Sequence, residues 1–207
     1  FLPKKPKALF LPLYVPESSV ADYQSAMGWR EFVNIQVIST CGENLIWMLT
    51  EDDELIIEGA GAMCDYEERN VPWYNCRESI KTVTISEGVT SIGNNVFNGC
   101  CNLTDITIPE GMTSIGEFAF AHCSSLTAIT IPEGVRNIEW GAFMYCSSLT
   151  KLVIPKTMMN IGQYAFLSCF NLAEVYCKSK TPPTIDDYTF ANVDTYIPVY
   201  VRPYSVS

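Results

Sequence analysis

"IPEGMTSIGEFAFAHCSSLTAIT" fills residues 108–130, and "IPEGVRNIEWGAFMYCSSLTKLV" follows at once over residues 131–153. The two stretches match wherever the residue is apolar, so the chain is written in rows of 23 residues. Laid out in such rows, Ile85, Ile108, Ile131 and Ile154 share one column, and Ile92, Ile115, Ile138 and Ile161 share another. Phe97, Phe120, Phe143 and Phe166 form a third, and Cys100, Cys123, Cys146 and Cys169 a fourth. Leu103, Leu126, Leu149 and Leu172 complete the frame.

Each row reads L-x-x-I-x-I-P, as in "LTDITIP" (103–109). Its alternation predicts a short strand with Leu and Ile turned inward. The proline ends that strand because it has no N–H to offer a ladder. "EG" then turns the chain, the next Ile points inward again, and the Phe fills the far side of the coil. One such coil cannot cover its own apolar edge, so coils must stack, with parallel strands about 4.8 Å apart. A period between about 20 and 29 residues is that of a leucine-rich-repeat solenoid. The predicted fold is therefore β-rich with minor helix.

Composition agrees with a folded chain: of 207 residues, 48% are hydrophobic and 17% charged. A net charge of −10 speaks against nucleic acid, whose phosphates demand a basic face. No apolar run reaches the roughly 18 residues of a membrane span, so no membrane insertion is expected. The sequence opens at Phe1 without a charged and then apolar leader, which reads as a mature or excised fragment.

The ends depart from the rows. "LIWMLTEDDELIIEGAGAMCDY" (45–66) alternates like two strands joined by an acidic turn, an N-terminal β cap over the first coil. The last row, 177–201, keeps Ile185, Phe190 and Val199 but shifts them by one residue. "PLYVPESSVA" (12–21) also resembles "PVYVRPYSVS" (198–207), with Pro, Tyr, Val, Ser and Val in register 186 residues apart. The segment that closes the solenoid thus also opens the chain. The division that follows is 1–40, tail of a preceding tandem unit with a short helix at 23–32; 41–79, β cap and first coil; 80–176, solenoid; 177–207, irregular last coil and truncated cap. Residues 1–40 of one molecule are expected to dock on the C-terminal end of another, since open strand edges invite pairing.

The repeat, the opening "CGENLIWML" (41–49) and the segment "YVPESSVADYQSAMGWREFVNI" (14–35) resemble BspA-like leucine-rich repeat proteins of the TpLRR type, secreted or surface proteins of gut and oral bacteria. The resemblance implies a right-handed solenoid, an extracellular or cell-surface location, and adhesion or protein binding, in some members to host matrix proteins. It transfers no catalytic residue. Two departures bear on turn geometry: Glu139 stands where the repeat has Gly, and "IPKTMMNI" (154–161) lacks the "EG" turn.

No enzyme is expected, and no cofactor or metal. The Cys100, Cys123, Cys146 and Cys169 column reads as an inert structural ladder, since parallel Cβ vectors suit bridging poorly and free cysteine behaves as a small hydrophobe. A Cys41–Cys64 bridge in the cap stays open. His122, the sole histidine, sits in a variable slot beside Cys123 and reads as a surface residue. The carboxylates of "EDDE" (51–54) and "IDDY" (185–188) fall at turns. What remains is the outward face of the strands. There Asp105, Thr107, Thr130, Lys151, Val153, Glu174 and Tyr176 change from row to row while the frame repeats. That face is the candidate binding site for a protein ligand, a host matrix or surface protein. Two alternatives stand beside it: a spacer of stacked tandem units, and a glycan-binding module resting on Trp140, Tyr145 and Tyr164 if those rings are exposed rather than outer core.

Overall fold

The computed structural model describes residues 13–16, 20–26, 35–194 and 196–201, and the chain divides into two units, Phe1–Thr40 and Cys41–Ser207. In the first unit, strand β1 (Leu13–Pro16) leads to helix α1 (Val20–Ser25) and then to strand β2 (Ile35–Gly42), which runs on past the unit's limit. β1 and β2 are parallel, with Leu13 opposite Ile35 and Pro16 opposite Ile38. The helix begins at Val20, earlier than the expected 23–32, and residues 27–34 lie outside the described residues.

The second unit opens with the expected hairpin. β3 (Leu45–Leu49) and β4 (Glu54–Ala62) run antiparallel, and Asp53 in the acidic turn adopts a left-handed φ of 64°. β4 then seeds both sheets of the solenoid. Its first half pairs with β5 (Thr82–Ile85), and its second half, Ala60–Ala62, pairs with β6 (Gly88–Ile92) with a register shift between Gly61 and Ala62.

From there each row contributes two strands. The L-x-x-I-x-I segments give β7 (Asp105–Thr107), β9 (Ala128–Thr130), β11 (Lys151–Ile154) and β13 (Glu174–Cys177). The "SI" or "NI" segments give β8 (Ser114–Ile115), β10 (Asn137–Ile138) and β12 (Asn160–Ile161). β14 (Val199–Val201) closes the order. One parallel ladder runs β6–β8–β10–β12; the other face carries β5–β7 and β9–β11–β13–β14. The result is a solenoid of stacked coils with the 23-residue period seen in the sequence.

A third side of each coil is also sewn to its neighbour. The Phe97, Phe120 and Phe143 amides donate to the Ala119, Ala142 and Ala165 carbonyls at 2.7–2.8 Å. Phe97, Phe120, Phe143 and Phe166 are fully buried and stack with centroids 5.0–5.2 Å apart. Trp73 extends the stack at one end (6.0 Å) and Phe190 at the other (5.3 Å). Burying each such ring contributes about 1.5–3 kcal/mol relative to leaving it in water.

Tight coils demand unusual backbone. Two columns sit at left-handed φ: Asn95, Phe118, Gly141 and Tyr164 at 53–59°, and Gly99, His122, Tyr145, Ser168 and Asn192 at 59–77°. Only two of these nine are glycine, so side chains are held in a region that costs roughly 1–2 kcal/mol each. Both departures from the repeat are accommodated. Glu139 donates its amide to the Ile115 carbonyl at 2.9 Å, as Gly116 and Gly162 do to Ile92 and Ile138. Thr157 replaces the turn glycine with its hydroxyl, which donates to Val135 O (3.1 Å) and accepts from Gly134 N (3.0 Å).

Candidate binding face

In β5, β7, β9, β11 and β13 the buried residues are the inward Val, Ile or Leu of each strand, with Cys177 in β13, as strand alternation requires. Between them Asp105, Thr107, Ala128, Thr130 and Lys151 are exposed, and Val153, Glu174 and Tyr176 are half-buried. Ala128, Thr130, Lys151, Val153, Glu174 and Tyr176 lie on one face, because their strands pair in register: Lys151 sits between Ala128 and Glu174, and Val153 between Thr130 and Tyr176. Asp105 and Thr107 pair instead with Thr82 and Thr84 of β5.

The character of this face changes along the stack. Its first rows offer threonines and one aspartate. At the C-terminal end the side chains form a connected cluster. The Lys151 ammonium lies 4.7 Å from the centre of the Tyr176 ring, a cation–π contact. Tyr176 stacks on Tyr200 with centroids 4.6 Å apart and planes 17° from parallel. Partial burial, followed by the hydrogen bond and charge of Glu174, raises the Tyr176 hydroxyl above the usual phenol pKa. The phenol thus stays neutral at physiological pH, a donor facing a carboxylate beside a cation. Tyr200 was not among the residues singled out from the sequence. The signal for it was present, since "VYV" (199–201) alternates and Tyr200 pairs with Tyr176, but the last row is 24 residues long rather than 23.

The cysteine column is buried and every thiol is free, Cys41 and Cys64 included. Cys123, Cys146 and Cys169 donate their thiols to the Phe97, Phe120 and Phe143 carbonyls at 3.2–3.3 Å, which satisfies carbonyls inside the coils. Burial pushes Cys169 up to about 12 and holds Cys123 and Cys146 well above the usual thiol value. These thiols have no nucleophilic role at neutral pH. Cys41 is likewise pushed up to about 12, by burial and then by Cys64 beside it.

The aromatic set splits into two stacks. Trp140 packs edge-on between Phe118 (4.6 Å) and Tyr164 (5.3 Å), and Tyr164 meets Tyr188 (5.5 Å). Tyr145 instead stacks on His122 at 4.7 Å, both exposed. Trp140 and Tyr164 are half-buried and pack as outer core; His122 and Tyr145 are exposed rungs of a turn column whose Ser168 is buried.

At the C-terminal end the interior opens into a cavity of about 1030 Å³ lined by Ile154, Ile161, Val175, Phe190, Val199 and Val201. Ile185 and Val199, aligned with interior columns, line it and are 51% and 60% exposed. No helix among those residues is long and apolar enough to cross a membrane.

Stacked parallel coils, a continuous aromatic spine and a strand face that varies define a repeat-solenoid protein. Residues 70–196 match the BspA type leucine rich repeat region in six copies, and the chain belongs to that family. It is similar to a leucine-rich repeat protein from Eubacterium ventriosum, with 31% identity, a TM-score of 0.54, and 67% of this chain and 43% of that one covered. A leucine-rich repeat protein of T. pallidum shares 30% identity over 67% of this chain and 71% of that one, with a TM-score of 0.49. A third, from Bacteroides ovatus, is 20% identical over 93% of this chain and 42% of that one, with a TM-score of 0.55. The chain spans less than half of the Eubacterium ventriosum protein. Among curated proteins nothing matches it.

Proposed function

We propose that this chain is a non-enzymatic recognition module of a bacterial surface or secreted protein, which binds a protein ligand through the C-terminal end of its strand face. The observation that carries the reading is the Lys151–Tyr176–Tyr200 cluster with Glu174 beside it. Aromatic rings held rigid by stacking lose little entropy on binding, and a cation and a carboxylate at their rim supply orientation. Val153 adds apolar area beside them, and the threonine rows (Thr107, Thr130) with Asp105 extend the contact at lower energy. The ligand class we propose is a matrix or surface protein of a host, as the resemblance to BspA-like proteins implies for some members.

Immobilised binding to a panel of matrix proteins, mucins and glycans tests this, with the Lys151→Ala, Glu174→Ala, Tyr176→Ala triple variant alongside. Saturable binding to a protein, weakened at least tenfold in the variant while its circular dichroism is unchanged, is the expected outcome. Binding that the variant retains in full would sink the proposal.

A further inference from the structure

Cys41 lies at the end of β2, and Cys64 stands two residues beyond β4. Gly42 and Met63 form an antiparallel bridge, so the next residue out on each strand, Cys41 and Cys64, stand opposite one another. The Cys64 amide donates to the Cys41 carbonyl at 2.8 Å. Gly42 permits the close approach, since a Cβ there would lie 2.5 Å from the Ala62 carbonyl oxygen. Opposed antiparallel residues joined by such a bond have Cα atoms about 5.5 Å apart and side chains on one face. A disulfide requires Cα atoms about 4.4–6.8 Å apart. The side chains agree with the backbone. Burial and then Cys64 hold the Cys41 thiol up, and burial, then Cys64 and Cys41, hold up the Tyr66 phenol, so the three groups share one corner.

The other cysteines are placed differently. Cys123, Cys146 and Cys169 are buried and bonded to Phe carbonyls, and Cys76 donates its thiol to the Trp73 carbonyl at 3.4 Å. We infer that Cys41 and Cys64 form a thiol–disulfide exchange site, which a small disulfide such as oxidised glutathione closes into a covalent clip of the β cap. Exposure sets the order, because Cys64 is exposed and Cys41 is buried. The Cys64 thiolate attacks one sulfur of glutathione disulfide. A Cys64–glutathione bond forms, the glutathione S–S bond breaks, and the departing glutathione thiolate takes a proton from water. Cys41 then gives its proton to solvent and attacks the Cys64 sulfur, which releases the second glutathione. Two protein thiols are oxidised by two electrons, and one glutathione disulfide is reduced to two glutathiones. The clip ties the end of β2 to the first coil. The strand carrying Cys64 is already sewn there, by the Met63 amide to the Ser91 carbonyl (3.2 Å) and the Tyr66 amide to the Asn94 carbonyl (3.0 Å). It forms independently of any ligand on the strand face.

The test incubates the intact, reduced chain with oxidised glutathione and maps its thiols by mass spectrometry over time. Cys64 should first carry glutathione and then lose it as a Cys41–Cys64 linked peptide forms, with two of the nine thiols consumed. Cys41→Ala should halt the reaction at the glutathione adduct of Cys64. Cys64→Ala, a change at an exposed position, should leave Cys41 as a free thiol while the circular dichroism stays that of the parent. Persistent glutathione on Cys64 of the unmodified chain, a link from Cys64 to any other cysteine, or no reaction at all overturns the inference. So does modification of Cys41 in the Cys64→Ala variant at the rate seen in the parent. Both the parent mapping and the Cys64→Ala variant decide the matter even if Cys41→Ala, at a buried site, fails to fold.

Discussion

The coil around Phe143 and the coil around Phe190 are built from the same kinds of residue and end in different states. Phe143 is stacked between Phe120 and Phe166, is fully buried, and has a hydrogen-bonded coil on each side. Among the described residues Phe190 stacks on Phe166 alone, is half-buried, and opens onto the cavity, which Val199 and Val201 of its coil also line while 60% and 66% exposed. Burial in a solenoid is therefore a property of the neighbour as much as of the residue. Among the described residues, a coil with a neighbour on each side is a core, and the coil of Phe190, with one, is half-covered.

The comparison is most directly broken by truncating the two rings. Phe143→Ala should cost about 3–5 kcal/mol in urea unfolding, because the cavity it leaves is enclosed by rigid coils. Phe190→Ala should cost less than half of that, since much of its ring already meets solvent. Equal losses would show that the end coil is as well supported as the middle.

The thiols sharpen it through pH. The ladder cysteines ionise in the folded state only well above their ordinary value, Cys169 at about 12. In the unfolded chain they ionise at about 8.5. Stability is therefore full below that value and falls above it, as the unfolded state sheds protons that the folded state keeps. Between roughly pH 9 and 11 each ladder thiol contributes a slope of about 1.4 kcal/mol per pH unit, and Cys146→Ala should remove one such share. An unchanged slope would mean that the column is open to solvent. In the same range a thiol reagent should modify exposed Cys64 in the folded protein and reach Cys123 and Cys146 only on unfolding.

The smallest effect belongs to the altered turn. Thr157→Ala removes a hydroxyl that bonds both Gly134 N and Val135 O, and should cost about 1 kcal/mol. Thr157→Gly restores the residue of the other rows without the hydroxyl. A loss as large as that of the alanine variant would show that the side chain, not the turn backbone, stabilises row 154–161.

The five repeating columns were legible because each marks a position whose burial recurs at every turn: Phe97 to Phe166 became the aromatic spine, and Cys100 to Cys169 the thiol ladder. The strand face could be read by subtraction, as the positions free to vary, and it did bring Lys151, Glu174 and Tyr176 together. Tyr200 escaped because the last row is a residue longer. The left-handed columns escaped for another reason. Phe118, Tyr145 and Tyr164 are not residues that advertise positive φ, and the surrounding ladders hold them there. Nor did spacing show that Trp140 and Tyr145 belong to different stacks, which depends on how the turns aim their side chains.

The sequence alone determined the period, the strands and which residues face inward, because periodic burial writes itself into residue type. Only the tertiary structure decided which outward side chains touch and where the stack is left open. Those follow from the register between coils and from the number of neighbours a coil has, and neither quantity is carried by any single row.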